Sequence, residues 1–338
     1  MLFILILTSR CNSNCRYCGG YDPHLMPEEP EYSIADLQNF ISQYDRPSIA
    51  FYGGEPLLRT DLIMKIIDCV DAEHFILQTN GLLLNRLPGE YIREFSTILI
   101  SFDGRKDVHN YYRRGTYDRV LENARNVSRQ FDGELIARMV ASSETDIYLD
   151  VMHILSLDVF THVHWQIDAV WSRYRWNFEE WVGRYNAGVR KLVNFWIDEL
   201  QRDRLHNIVP FLGVVSALRR GYQSPPCASG YESFAITTDG RILACPVCPD
   251  LEWNNLGDIF SGFRRGVNIL EPCPNCNYFR FCGGRCLFFN RERLWGQRGF
   301  ELVCSTVRNL VDSILARKDE ISCEIAYPEF LNTTEIIP

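Results

Sequence analysis

The sequence predicts an α/β chain in which a partial, TIM-like (β/α)6 barrel precedes a small loop-rich domain. Three observations carry this. Six apolar runs alternate with amphipathic helical patterns over the first two-thirds of the chain, and six strands each followed by a helix imply parallel strands with right-handed crossovers. Each run ends in glycine or polar residues, which puts all six ends on one rim, where barrels of this kind collect their chemistry. Beyond residue 206 the texture changes to Pro225-Pro226, frequent glycine and eight cysteines from Cys227 to Cys304, the composition of a domain held by metal rather than by a thick core.

In chain order, strands are expected at residues 2–7, 48–52, 75–79, 97–102, 135–141 and 163–169. Ser33-Ile34-Ala35-Asp36 reads as a capping box opening a helix over 34–44. Thr60 reads as the cap of a helix over 61–71, and 116–130 is amphipathic. The strand ends, taken in order, are the segment 8–18, Gly53-Gly54-Glu55-Pro56, Gln78-Thr79-Asn80-Gly81, Ser101-Phe102-Asp103-Gly104, Ser142-Ser143 and Asp168. Asp168 is the candidate catalytic base or substrate anchor, with a rim carboxylate or helix cap as the plain alternative. Residues 177–205 read as a long helix rich in aromatics and arginine. Trp165, Trp171, Trp176 and Trp181 gather around strand six and this helix and read as core packing. The expected domains are 1–206, 207–320 and a surface tail over 321–338.

Composition excludes whole classes of function. A net charge of −8 is the wrong sign for non-specific nucleic-acid binding. The apolar start of the chain is too short for a membrane span and lacks the basic flank and cleavage site of a signal peptide. A cytoplasmic location is therefore expected. There, thirteen cysteines point to metal rather than to disulfides.

Cys11, Cys15 and Cys18, in the run Cys11-Asn12-Ser13-Asn14-Cys15-Arg16-Tyr17-Cys18, crowd three thiolates into one loop. A [4Fe–4S] cluster ordinarily takes four, so three leave one iron open to chelate a ligand. Zinc favours CxxC pairs followed by a second pair or by histidines, and none follows here. The CxxxCxxC spacing directly after the first strand resembles the radical S-adenosylmethionine (SAM) superfamily. That resemblance implies an open iron that binds the amino and carboxylate groups of SAM and cleaves it reductively to a 5′-deoxyadenosyl radical. It extends to further strand ends. Gly53-Gly54-Glu55-Pro56 matches the stretch that holds the methionyl amino group, Glu55 being able to accept from an ammonium. Ser101 and Asp103 match residues that face the ribose. An arginine that helps neutralise the SAM carboxylate falls at Arg113, beside Arg114. Tyr17 matches the aromatic near adenine, and Asn80 is a sugar or substrate contact.

A second cysteine array follows. Cys227 is succeeded by twelve residues, Gly240, four more residues and Cys245; then come Cys273-x2-Cys276-x5-Cys282-x3-Cys286 and, after a gap, Cys304. This resembles the SPASM domain, the auxiliary-cluster module of peptide-modifying radical SAM enzymes, which generally carries two [4Fe–4S] clusters. Its crossed ligation implies that Cys273, Cys276, Cys282 and Cys304 bind one cluster, and Cys227, Cys245 and Cys286 the other. Cys248, in Cys245-Pro246-Val247-Cys248, is the local candidate for the missing eighth ligand. Without it, one iron would be open to a substrate thiolate. Cys69 and Cys323 read as structural.

Over most of residues 1–308 the chain resembles archaeal-type peptide-modifying radical SAM enzymes. The resemblance implies three [4Fe–4S] clusters and SAM, a peptide or protein substrate oxidised at a side chain to a crosslink or related product, and auxiliary clusters that accept the substrate electron. It also implies an external electron donor of the ferredoxin or flavodoxin type. With the first strand starting at residue 2, recognition falls to the barrel mouth, the SPASM surface or a separate leader-peptide-binding protein. Formylglycine formation, as in anaerobic sulfatase maturases, is the runner-up. Those enzymes place an acidic residue where this chain has Pro246. A non-catalytic Fe–S electron carrier is the alternative of a different class, and it would need neither Glu55 nor the 101–113 segment.

Overall fold

The computed structural model describes residues 1–168 and 177–321. Trp171, Trp176, Cys323, the last residue of the expected sixth strand and nearly all of the expected tail lie outside them. The chain forms two compact units, neither of them continuous. The first takes residues 1–102, 109–136 and 228–268; the second takes the described residues of 103–108, 137–227 and 269–338.

The first unit is built on a sheet. Its strands are β1 (Leu2–Ile6), β2 (Ser48–Tyr52), β3 (Phe75–Thr79), β4 (Phe95–Ser101) and the start of β5 (Glu134–Ala141). After them come β7 (Ser233–Ile236), β8 (Arg241–Leu243), β9 (Asn255–Asp258) and β10 (Gly262–Phe263), while β6 (His162–Ile167) belongs to the second unit. The order within this unit is β10-β9-β8-β7-β1-β2-β3-β4-β5. From β7 through β4 the pairing is parallel, in the register Leu2↔Ser48 to Ile6↔Tyr52 between β1 and β2. The sheet is open: β7–β10 extend it past β1.

The interior layer follows from the two-residue period of a strand. Leu2, Ala50, Ile76, Leu99 and Ile136, one from each of β1 to β5, pack into one buried cluster. Two residues further along, the same face carries Ile4, Tyr52, Gln78 and Ser101. Apolar residues thus close the bottom, while polar ones approach the carboxyl ends where the site lies.

Most expected elements lie close to their sequence positions. Ser33 and Asp36 form the capping box of helix Ile34–Ile41. The Thr60 cap is a correction. Thr60 is the first residue of helix Thr60–Cys69 and no side chain caps it. The helical path starts four residues earlier, at the 3₁₀ turn Pro56–Arg59, where Pro56 pre-sets φ and Glu55 accepts from the Leu57 N–H. The strands β7–β10 have no counterpart in the expected loop-rich domain. They are two to four residues long, too short for a period to register, and neighbours hold them. Phe234 and Phe263 pack ring to ring at 4.7 Å, and Phe3 of β1 stands 6.3 Å from Phe234.

In the second unit, the end of β5 precedes β6 (His162–Ile167). Trp165 of β6 lies edge-on to Phe211, 5.9 Å away, and donates to Tyr185 Oη at 2.7 Å. Tyr185 belongs to helix Phe178–Leu200, which also buries Trp181 and Trp196. The expected core role of Trp165 and Trp181 is what these contacts describe.

Glu134 opens β5 in the first unit as a buried carboxyl, with Thr97 Oγ1 3.3 Å away. Burial pushes it up to about 7, with the Thr97 bond opposing. A folded value above the unfolded one favours folding fully at low pH, and this contribution is lost as pH rises from about 4.5 through about 7. Glu134→Gln, which keeps the shape and removes the charge, is expected to be more stable than the wild type at pH 8 by up to about 3 kcal/mol. At pH 5 the two should nearly coincide in denaturant titrations. Equal stability at pH 8 would contradict this account of the buried acid.

Candidate functional site

Just beyond β1 the chain turns into the cysteine loop. Thr8 Oγ1 donates to Glu28 O at 2.7 Å and accepts from the Arg10 N–H at 3.1 Å, which fixes the loop's exit. The Ser13 N–H reaches Cys11 Sγ at 3.4 Å, Ser13 Oγ lies 3.4 Å from Cys15 Sγ, and the Gly20 N–H reaches Cys18 Sγ at 3.3 Å. Such contacts favour thiolate charge. Partial burial pushes the Cys11 thiol up, and Glu55, Cys15 and Cys18 add to it. The three sulfurs are therefore near enough to feel one another's charge. Among the described residues no three His, Cys, Asp or Glu groups converge on a single ion. A four-iron cluster needs no such convergence, since it spreads its thiolates over separate irons. Three cysteines and an unfilled corner fit a SAM-binding cluster.

Gly53 and Gly54 are needed for a reason the sequence did not disclose. Gly54 donates to Thr8 O at 2.9 Å, and Glu55 donates to Arg10 O at 2.9 Å. A Cβ on Gly54 would stand 2.2 Å from Arg10 O, and one on Gly53, at φ +142°, would stand 2.5 Å from Thr8 O. The glycines let the end of β2 lie directly against the start of the cysteine loop. Glu55 is 0% exposed. Its Oε1 accepts from the Leu57 N–H at 3.0 Å and Thr79 Oγ1 at 2.7 Å, and its Oε2 accepts from the Asn80 N–H at 2.7 Å. Burial raises this carboxyl, while those bonds and the Arg113 charge oppose the rise. The acid thus ties the ends of β2 and β3 together.

Asn80 carries that tie onward, donating to Asn12 Oδ1 at 2.8 Å and approaching Cys11 Sγ at 3.8 Å. Of the two adjacent arginines, buried Arg113 turns inward, with Nη1 3.8 Å from Cys15 Sγ and its guanidinium 5.4 Å from the Tyr17 ring. Arg114, at φ +58°, is exposed and donates to Asn14 O at 3.0 Å. Tyr17 packs on Tyr112 at 5.2 Å. The first unit therefore gathers Tyr17, Gly53, Gly54, Glu55, Asn80 and Arg113 around Cys11, Cys15 and Cys18. Ser101, half-buried, ends β4.

The first unit also holds Cys245 and Cys248, both buried. Asn254, with 0% exposure, clamps their loop. It accepts from the Cys245 N–H at 2.8 Å and donates to Cys245 O at 2.8 Å and Cys248 O at 2.7 Å. Tyr21 donates to Pro246 O at 3.3 Å. Neither residue was legible beforehand, because an asparagine nine positions after a cysteine carries no signal. Cys227 and Cys286, expected to share a cluster with this pair, belong to the second unit and are half-buried.

In the second unit, Asp168 accepts from Ser142 Oγ at 2.9 Å, joining two predicted strand ends. Asp103, also fully buried, accepts from the Val140 N–H at 3.0 Å. An unforeseen pair stands nearby: buried Asp150 accepts from Arg105 Nε at 2.8 Å and from its backbone N–H at 3.0 Å. Burial raises the Asp150 carboxyl and Arg105 opposes the rise.

The same unit contains a cavity of about 240 Å³ lined by Cys273, Cys276, Cys282 and Cys304, with Arg285, Phe289 and Phe300 among its walls. Burial pushes the Cys273 thiol up to about 11 and the Cys304 thiol up to about 12, the neighbouring thiols adding to each. Four thiols around one void form the donor set of a closed four-iron site. Ligation requires their deprotonation, so occupation of the void would release protons.

Comparison with known proteins bears on the family and the fold. Residues 5–153 match the family model of the Radical SAM superfamily. The chain is 21% identical to a cysteine-type anaerobic sulfatase-maturating enzyme of Clostridium novyi, over 95% of this chain and 96% of that one. It shares its fold with anSMEcpe, solved with bound AdoMet and Cp18Cys peptide, at TM-score 0.73 and 19% identity, covering 94% and 97% of the two chains. Streptococcus suis SuiB bound to precursor peptide SuiA gives TM-score 0.57 at 13% identity, covering 84% and 71%.

Glu55→Ala leaves Thr79, Leu57 and Asn80 without their buried acceptor. It is expected to lower unfolding stability in the absence of any ligand by roughly 2–4 kcal/mol. Unchanged stability would assign Glu55 to ligand contact alone.

Proposed function

Because the chain carries a radical SAM domain at residues 5–153, we propose that it matures a peptide or protein by oxidising one of its side chains. The observation that carries the reading is the pairing of two different thiol sets: a three-cysteine loop ringed by polar strand ends, and four cysteines lining one cavity with apolar walls at Phe289 and Phe300. The first set suits a cluster that binds a cofactor, and the second suits one that only passes electrons. When bound at the first set, a [4Fe–4S] cluster and SAM supply a 5′-deoxyadenosyl radical.

The chain's own residues do the positioning. Cys11, Cys15 and Cys18 ligate the cluster, and the N–H groups of Ser13 and Gly20 stabilise their charge. The backbone around Gly53 and Gly54 and the Glu55 carboxylate would bind the methionyl ammonium. Arg113 neutralises the carboxylate, Tyr17 packs on adenine, and Asn80, Ser101 and Asp103 contact the sugar. Asp168, held by Ser142, anchors the substrate or takes its proton. Three clusters are proposed in all. Cys273, Cys276, Cys282 and Cys304 hold one auxiliary cluster, and Cys227, Cys245, Cys248 and Cys286 the other, with Asn254 ordering the Cys245–Cys248 loop.

The partners are a peptide substrate and an external donor of the ferredoxin or flavodoxin type, with peptide recognition by the barrel mouth, the SPASM surface or a separate leader-binding protein. SuiB and anSMEcpe are both solved with peptides bound, which supports a peptide here. No helix among the described residues is long and apolar enough to cross a membrane, and a cytoplasmic location is proposed. The sulfatase-maturase reading draws on the Clostridium novyi relative, and Pro246 speaks against it.

The Cp18Cys peptide separates the two. Incubated anaerobically with reductant, SAM and the reconstituted protein, it is expected to keep its cysteine by mass spectrometry while 5′-deoxyadenosine forms. Conversion of that cysteine to an aldehyde would overturn the proposed substrate class and put formylglycine formation in its place.

A further inference from the structure

We propose that Arg285 and Asn290 raise the reduction potential of the four-cysteine cavity's cluster and so fix it as an electron acceptor. The inference rests on the reading of Cys273, Cys276, Cys282 and Cys304 as cluster ligands. It assigns two residues that no cysteine pattern singles out.

Arg285 is placed by a turn that cannot relax. Gly283 and Gly284, between Cys282 and Arg285, both take left-handed backbone, at φ +55° and +72°. A Cβ on Gly283 would lie 1.7 Å from Ser224 O, and one on Gly284 would lie 2.5 Å from Ile269 Cγ2. The turn brings the backbone N–H groups of Gly284 and Arg285 to the Cys282 sulfur. The Arg285 N–H also lies 2.8 Å from Cys282 O. Its side chain lines the cavity and is 8% exposed, and its charge acts on both Cys282 and Cys304.

Asn290 approaches from the opposite end of the cysteine array. Fully buried, it accepts from the Leu270 N–H at 2.8 Å and donates from Nδ2 to Cys273 Sγ at 3.3 Å. Its amide is therefore oriented with a donor on sulfur.

The direction of the effect follows from charge. A cluster on four thiolates is anionic, and reduction adds another negative charge. Nearby positive charge and N–H···S bonds stabilise the reduced form more than the oxidised one, while apolar walls such as Phe289 and Phe300 work the other way. A buried guanidinium acts through a low dielectric. Arg308, which also acts on Cys304, is exposed and therefore screened, as is Glu301 on the cavity rim. Arg285 also acts on His164, a fully buried ring with no hydrogen-bond partner on either nitrogen. Burial, Arg138 and Arg285 keep that ring neutral, so it neither adds to nor cancels the guanidinium charge.

The test is an EPR-monitored redox titration of full-length protein, reconstituted anaerobically in the Cys11/Cys15/Cys18→Ala background so that the auxiliary signals stand alone. Arg285→Met is expected to keep its iron and to shift the midpoint downward. At the wild-type midpoint the ratio of reduced to oxidised cluster should fall about tenfold, which for a one-electron couple is about 59 mV. Arg285→Lys should recover much of the loss, and Asn290→Leu should shift in the same direction. An unchanged midpoint in both Arg285→Met and Asn290→Leu overturns the inference. So does loss of the cluster's iron from Arg285→Met, since the residue would then be a scaffold. Failure of the underlying reading looks different: Cys304→Ala would keep the full iron content and an unaltered signal.

Discussion

The candidate site depends on one close approach of backbone to backbone. Gly54 and Glu55 donate to Thr8 O and Arg10 O at a distance that any side chain on Gly54 would prevent. This contact seats the cysteine loop on the end of β2. Glu55 then extends the seat to β3 through Thr79 and Asn80, and Asn80 returns to Asn12 inside the loop. The buried carboxylate thereby ties β2 to β3, and the backbone bonds to Thr8 and Arg10 together with Asn80 tie both to the cysteine loop. A flexible loop of three cysteines would bind iron in many ways; a braced one presents its sulfurs in one way.

Charge management is the second theme. Thiolates, a buried Glu55 and a buried Asp150 are costly unless hydrogen bonds or cations meet them. Each has such partners: N–H groups on the loop sulfurs, three donors on Glu55, and Arg105 on Asp150. Arg113 places its charge beside Cys15 and the Tyr17 ring. The second unit repeats the arrangement with Arg285 beside its own thiols.

The alternation of strands and helices was readable because each strand is five or more residues long and ends in a polar cluster, and β2 and β3 fall on the expected residues. Cysteine spacing marked the three-cysteine loop and the four cysteines that line one cavity, because those residues lie near in sequence or in a regular array. What was not readable depends on tertiary neighbours. Strands β7–β10 are short and owe their pairing to β1 and an aromatic cluster. The role of Glu55 as a brace and the Arg105–Asp150 pair need distances across tens of residues, and the Asn254 clamp, though local, has no spacing signal of its own. Thr60 looked like a cap because threonine caps helices, but Pro56 had already begun the turn.

The central claim is that the braced cysteine loop supports cleavage of SAM. The direct measurement is 5′-deoxyadenosine production by anaerobically reconstituted protein given SAM and a strong reductant. The account predicts formation by the wild type, and none by the Cys11/Cys15/Cys18→Ala variant, which should retain about two-thirds of ~12 irons in its auxiliary clusters. A wild-type protein carrying its full iron and forming no 5′-deoxyadenosine, or a triple variant forming as much as the wild type, would contradict it.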